Sequence, residues 1–317
     1  MSELSNNQGR GYEYVCLYEL YDVISKYRNV EIVNNSSLLA AKRAFDTLTD
    51  TDKQIFRRSA QAMIPAILDC EPRIIENDTD ILKLYIQQDE EGEKGDVRDI
   101  IIARTNIKWE IGLSIKHNHF AVKHSRLSPT IDFGEKWFGI PCSLDYWQDI
   151  EPVFLYLESA KQQGKKFNEI PSKDSIVYKP IISAFIAEIE RQYKTHSDLP
   201  KKMVEYLLSI FDFYKVISID SHKLTQVQAY NLHGTLNKPS KNKKPTILVP
   251  VASLPQRIIK IDFYPERNNT AELFMDNGWT FTFRIHNAET YAAPTLKFDI
   301  QIIGMPTEIL TINCLWK

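Results

Sequence analysis

The chain has 317 residues, 43% of them hydrophobic and 25% charged, with a formal net charge of −2. That is the composition of a globular protein with a large core and excludes a disordered chain. No stretch offers the roughly 20 consecutive apolar residues of a membrane helix, and the opening MSELSNNQGR lacks the apolar segment of a secretion signal, so a cytoplasmic protein is expected.

Taken in chain order, Tyr14, Leu17, Tyr18, Tyr21 and Ile24 stand at helix spacing, and apolar-periodic segments recur at Leu38 to Leu48 and Asp52 to Leu68. Asp50 or Thr51 is the expected cap of the third helix. Ile81 to Gln88 and Asp99 to Arg104 read as short strands separated by the acidic turn DEEGEKGD, and a further strand runs from Trp109 to Lys116. His119 to Leu127 returns to helical spacing, and Tyr146 to Lys161 and Tyr178 to Tyr214 also read as helical, the last broken at Pro200. From Gln226 onward the pattern becomes strands: Gln226 to Leu236, Ile258 to Tyr264, Trp279 to His286 and Leu296 to Ile303. The expected fold class is therefore α/β with a helical N-terminal part, divided near residue 217 into an α/β part (1–217) and a β-rich part (218–317).

Charge is distributed unevenly. From Ser221 to Ile261 there is no acid, while Lys223, Lys238, Lys241, Lys243, Lys244, Arg257 and Lys260 supply seven cations. Ile111 to Ile131 likewise lacks acids and carries Lys116, Lys123 and Arg126. Two basic tracts on an otherwise acidic chain suit a polyanion partner, because phosphate neutralisation needs clustered charge. A solvated Lys-rich loop is the plainer reading of Asn237 to Pro245.

The chemistry centres on a hairpin. If Thr105 to Lys108 close an antiparallel turn with Arg104 opposite Trp109, Asp99 falls opposite Ser114, roughly 5 Å away, with Lys116 about 7 Å further along the same face. Trp109, Ile111, Leu113 and Ile115 then form an apolar row on the other face, whose burial fixes the register. Asp99 offers hard oxygen ligands for Mg²⁺, and Lys116 can orient a water or a phosphate, a pairing suited to phosphodiester hydrolysis.

These residues lie in GDVRDIIIAR and WEIGLSIKHNHFAVKHSRLS, and this block is similar to the active-site region of the PD-(D/E)XK nucleases, specifically of the HaeIII family of type II restriction endonucleases. GRGYEYVCLYEL, ILDCEPRI, PCSLDYW, YLLSIFDFYK and FRIHNAETYAAPTLKFDIQIIG extend the resemblance almost end to end. It implies a PD-(D/E)XK core with a β-rich recognition region. The implied activity is Mg²⁺-dependent cleavage of double-stranded DNA at GGCC, giving blunt ends with 5′-phosphates, in the bacterial cytoplasm. It also implies pairing with a cognate DNA methyltransferase, and the palindromic site invites a homodimer. The match carries the metal-binding acid to Asp99, with Asp96 as second candidate, and the catalytic lysine to Lys116. Ser114 stands where most of the superfamily has a second acid. Glu13, in GRGYEY on the first helix, is the preferred replacement; Glu71 is the other candidate, and Glu110 lies about 13 Å along the strand from Ser114, too far to share a metal. A nuclease of other specificity, or a DNA-binding module with an incomplete site, are the alternatives that Ser114 leaves open.

For DNA, His117, Asn118, His119, Lys123 and Arg126 are expected to meet phosphates and base edges. His117, His119 and His124 are not expected to make a zinc site, since no Cys, Asp or further His lies nearby in the sequence to complete one. On the strand Trp279 to His286, one face is apolar. Arg284, with Asn287 just beyond, is expected to contact bases, because guanine O6 and N7 are best met by Arg or Lys. Lys297, Lys241, Lys243 and Lys244 are expected on phosphates. Pro141-Cys142 has the letters of a cytosine methyltransferase nucleophile, but the chain has no glycine-rich cofactor loop after a first strand and only 11 glycines, so Cys142 reads as core. The four cysteines include no CxxC pair, and reduced thiols are expected.

Overall fold

The computed structural model describes residues 3–88 and 95–317, with only the backbone at residues 3–6. Most of the expected DEEGEKGD turn lies outside the described residues. In chain order the elements are α1 (Glu3–Ile24), β1 (Val30–Ile32), α2 (Ser36–Asp46), α3 (Asp50–Cys70), β2 (Leu82–Ile86), β3 (Ile100–Arg104), β4 (Trp109–His117) and β5 (Lys123–Leu127). Helices α4 (Phe133–Phe138), α5 (Leu144–Gln162), α6 (Lys179–Tyr193) and α7 (Leu199–Leu207) follow, then β6 (Phe213–Ile219), β7 (Leu224–Tyr230), β8 (Ile258–Phe263), β9 (Thr270–Met275), β10 (Thr280–His286), β11 (Leu296–Gly304) and β12 (Leu310–Leu315). They gather into two compact units, one made of Met1–Phe120, Ser209–Ser253 and Thr307–Lys317, the other of Ala121–Leu208 and Leu254–Pro306. The expected division near residue 217 falls inside β6.

The first unit is built on a seven-stranded mixed sheet in the order β1-β2-β3-β4-β6-β7-β12, with β1/β2 and β4/β6 parallel. On α1, Tyr12, Val15, Cys16, Leu20 and Ile24 recur at helical spacing and are buried. They join residues of α3 and the sheet's apolar row, Ile111, Leu113, Ile115, Val216 and Val227, in one core. Each such side chain contributes about 1.5–3 kcal/mol by leaving water. Helix α3 is capped by Thr49, whose hydroxyl accepts from Asp52 N; the expected caps Asp50 and Thr51 already lie in the first turn. The β3–β4 hairpin has the expected register, Arg104 opposite Trp109 and Ile100 opposite Leu113. Thr105–Ile107 form a 3₁₀ turn, and Lys108 closes it at φ 49°.

Strand β6 corrects the helical reading of Tyr178 to Tyr214. Between the parallel neighbour β4 and antiparallel β7 it is buried from Phe213 to Ser218, so its sequence shows no alternation to mark it as a strand. Helices α6 and α7 are real, but they part at Lys194 to Asp198; Pro200 sits in the first turn of α7, where its missing N–H costs nothing. Beyond Tyr230 the expected strand gives way to a loop, because the Asp212 carboxylate collects the N–H groups of Leu232, His233 and Thr235 at 2.6–2.8 Å.

The second unit carries an antiparallel sheet in the order β5-β11-β10-β9-β8. Here the expected helix over His119 to Leu127 is corrected: Lys123–Leu127 is a strand, recruited by pairing with β11 from Leu127–Leu296 to Lys123–Ile300. The apolar alternation of β10 holds, Phe281, Phe283 and Ile285 being fully buried. Phe283 and Phe298 close on Phe185 at 5.1 and 5.0 Å between ring centroids. Among the described residues, no helix is long and apolar enough to cross a membrane.

Candidate active site and DNA-contacting groups

Asp99 precedes β3 by one residue, and its N–H donates to Leu113 O at 2.8 Å, one residue short of the Ser114 partner that the hairpin register predicts, so the regular pairing ends at Ile100 and only the Asp99 side chain reaches Ser114. Its Oδ2 accepts from Ile115 N at 2.6 Å, from Lys116 Nζ at 3.0 Å and more weakly from Ser114 Oγ at 3.4 Å. All three bonds fall on one oxygen, and Oδ1 receives none of them. Ser114 is buried, whereas Asp99 and Lys116 are each about a quarter exposed (24% and 27%), so the pair is accessible but shielded. Burial works against the Lys116 charge; the Asp99 charge, its hydrogen bond and the charge of Glu13 outweigh it and hold the ammonium pKa above its ordinary value. Helix α1 thus brings Glu13 within electrostatic reach of the hairpin lysine.

The other acids are engaged elsewhere. Asp96 forms a two-oxygen pair with Arg98, whose other arm reaches Glu110 at 2.8 Å. Glu71, fully buried after α3, accepts from Tyr214 OH at 2.7 Å and Asn237 N at 2.6 Å, and none of its bonds reaches Asp99, Ser114 or Lys116. Burial lifts its carboxyl from 4.5 to about 7.

The residues after Lys116 are more tied down than their sequence suggested. His117 Nε2 meets Asp220 Oδ2 at 2.7 Å while its ring lies edge-on to Phe56 and Tyr12. Asn118, at φ 49°, bonds the same carboxylate through Nδ2 and accepts from Asp220 N, both at 3.0 Å. Burial alone would raise Asp220; the bonds from His117 and Ser218 hold it below the ordinary carboxylate range. His119 is exposed. Lys241 is anchored, with Nζ on Asp78 at 2.7 Å and N–H on Glu76 at 2.5 Å, while Lys243 and Lys244 stay exposed on a turn closed by Ser240.

On the second unit's sheet, cross-strand register lines up Arg126, Lys297 and His286 in one row and His124, Asp299 and Arg284 in the next. Arg284 is half exposed and ion-paired to Asp299 at 2.8 Å. Burial and then the neighbouring Arg126 charge lower the Lys297 pKa, the signature of two adjacent cations. Lys123, on the same strand as Arg126, is tied down: its amine donates to Tyr206 O at 2.9 Å and lies over the Tyr206 ring, and burial pulls its pKa down to about 8. Asn287 spends its amide donors on Glu289 O and Tyr291 O, closing the turn after β10. Sequence reasoning missed Asp220, whose partners lie 103 and 102 residues away. It also missed Lys215, although a lone lysine in the apolar run FYKVISI was a visible signal.

A carboxylate and a lysine bonded together on one hairpin, with a basic sheet face in the same chain, suit a protein that handles nucleic-acid phosphates. The chain belongs to the HaeIII restriction endonuclease family, whose model it matches over residues 9–306. It is 52% identical over 318 residues to the type II restriction enzyme HaeIII of Haemophilus aegyptius, with 100% of each chain covered. It is a type II restriction endonuclease, a site-specific deoxyribonuclease. No solved structure matches the chain.

Proposed function

We propose that the protein cleaves double-stranded DNA at GGCC with Mg²⁺, leaving blunt ends with 5′-phosphates, and that the β3–β4 hairpin is the centre of a PD-(D/E)XK active site. The observation that carries this reading is Asp99 Oδ2 bound at once by Ile115 N and Lys116 Nζ, with the Glu13 charge nearby. Two carboxylates beside one ammonium form a hard-oxygen donor set suited to Mg²⁺, held by Asp99 and Glu13. Mg²⁺ bound there supplies positive charge for the phosphate oxygens and a lower pKa for a bound water. Lys116, kept protonated, orients the attacking water or the scissile phosphate as a point charge, and Ser114 Oγ steadies the carboxylate. Glu71 and Asp96, bonded elsewhere, are left out of this set.

In this reading Arg284, Arg126 and Lys297, with exposed His119, Lys243 and Lys244, meet DNA. Lys123, Lys241, His117, Asn118 and Asn287 shape the surfaces around them. A palindromic target cut in both strands suits two copies of the chain or one copy acting twice, and a cognate methyltransferase protects the host DNA in the cytoplasm.

The test is digestion of a plasmid of known sequence in Mg²⁺ and in EDTA, beside Asp99→Ala and Lys116→Ala. Discrete Mg²⁺-dependent fragments ending at GG/CC are expected, with a loss of at least about 100-fold in both variants. Fragments ending elsewhere would reject the specificity, and full activity in either variant would reject the site.

A further inference from the structure

Lys215 is the only charged residue of β6, and it is 3% exposed. The parallel register sets it directly opposite Ser114 on β4, so it shares the sheet face of Ser114 and Lys116. Its Nζ donates to the carbonyl of Phe120, four residues past Lys116, at 2.8 Å. A methionine or leucine would fill such a position at lower cost than a buried ammonium, so the charge itself calls for a use. Electrostatics run in one direction across this face. Asp99, just before β3, holds Lys116 Nζ at 3.0 Å, and Lys215 stands on β6, the strand on the other side of β4.

Resting on the active-site reading above, we propose that Lys215 is a positioning residue for DNA cleavage: its positive charge behind Ser114 keeps the Lys116 ammonium on Asp99, and its bond to Phe120 fixes the chain that leaves the catalytic lysine. Like-charge repulsion makes withdrawal of Lys116 toward β6 unfavourable, so the water- or phosphate-orienting amine has one place to rest. Burial and then the Lys116 charge bring the Lys215 pKa down to about 7, so the charge is carried in full only below that pH, and the cleavage assays are run at about pH 6.

The experiment compares Lys215→Gln, which retains a donor for the Phe120 carbonyl without the charge, with Lys215→Met, which retains neither, and Lys215→Arg, which retains both. For each, kcat and KM of plasmid cleavage in Mg²⁺, DNA affinity in EDTA and the melting temperature are measured, with Asp99→Ala and Lys116→Ala alongside. The Gln and Met variants should lose about tenfold or more in kcat with KM, affinity and melting temperature nearly unchanged, and Arg should recover most of the loss. Wild-type kcat in Lys215→Gln overturns the proposal, as does a loss of kcat matched by a fall in melting temperature. An Arg variant that melts normally without recovering activity also overturns it. Active Asp99→Ala and Lys116→Ala enzymes would instead bring down the site reading itself.

Discussion

At the scale of single residues, the acids of the first unit separate by what their oxygens touch. Asp99 keeps partial exposure and one oxygen outside its hydrogen bonds, whereas Glu71 is sealed in and bonded to Tyr214 and Asn237. Glu71 therefore bears on stability. Its folded carboxyl titrates at about 7, above its ordinary 4.5, so the folded state favours the protonated form, and stability is lost as pH rises from 4.5 through 7. In Glu71→Gln the amide carbonyl can still accept from Tyr214 and Asn237 while the ionisation is gone. The variant should be more stable than the parent by on the order of 2 kcal/mol at pH 8, with the gap closing near pH 5. Urea denaturation at the two pH values decides it, and curves that stay parallel at both would show that Glu71 is not the titrating group. Glu71 was a candidate metal ligand in the sequence because nothing local distinguishes a buried clamp from a catalytic acid. The distinguishing partners, Tyr214 and Asn237, lie 143 and 166 residues downstream.

At the scale of elements, what could be read from the sequence was what neighbours in the sequence determine. The β3–β4 hairpin was legible because one turn and one apolar row, Trp109, Ile111, Leu113 and Ile115, fix both register and face. Strand β5 was not, since HNHFAVKHSRLS satisfies helical and strand spacing alike and only β11 decides between them. Strand β6, buried on both faces, hid in a helical-looking run for a related reason. Glu13 was reached through family resemblance; its electrostatic reach to Lys116 follows from the packing of α1 on β4, which spacing alone does not reveal. The hairpin also depends on Gly112. The stem of Arg98 crosses the space a Cβ there would occupy, and Arg98 is held in place by Asp96 and Glu110. Gly112→Ala should cost about 1–3 kcal/mol, because the arginine must leave its ion pairs or the strand must shift. Thermal melts of this variant beside Gly9→Ala, where a Cβ meets nothing within 4 Å, would separate this crowding from a generic glycine effect.

At the scale of the whole molecule, a net charge of −2 forbids binding DNA by bulk attraction, so affinity must come from local cation clusters. The sheet face of the second unit supplies one: Arg126 and Lys297 stand side by side across β5 and β11, and Arg284 projects half exposed from β10. The two kinds of contact predict different consequences. Arg126 and Lys297, with no carboxylate opposite them, suit phosphates, and replacing either by alanine should weaken binding to all sequences alike and lower the salt-dependence slope by about one. Arg284 has its guanidinium oriented by Asp299, the kind of support a base-reading side chain needs. Arg284→Ala should cost about 1–3 kcal/mol at the proposed GGCC site and much less on unrelated DNA, leaving the slope almost unchanged. Binding titrations in EDTA from low to moderate salt, on GGCC and scrambled duplexes, measure both quantities together. If Arg284→Ala weakens the two duplexes equally, Arg284 is a phosphate contact and sequence is read from another part of the chain.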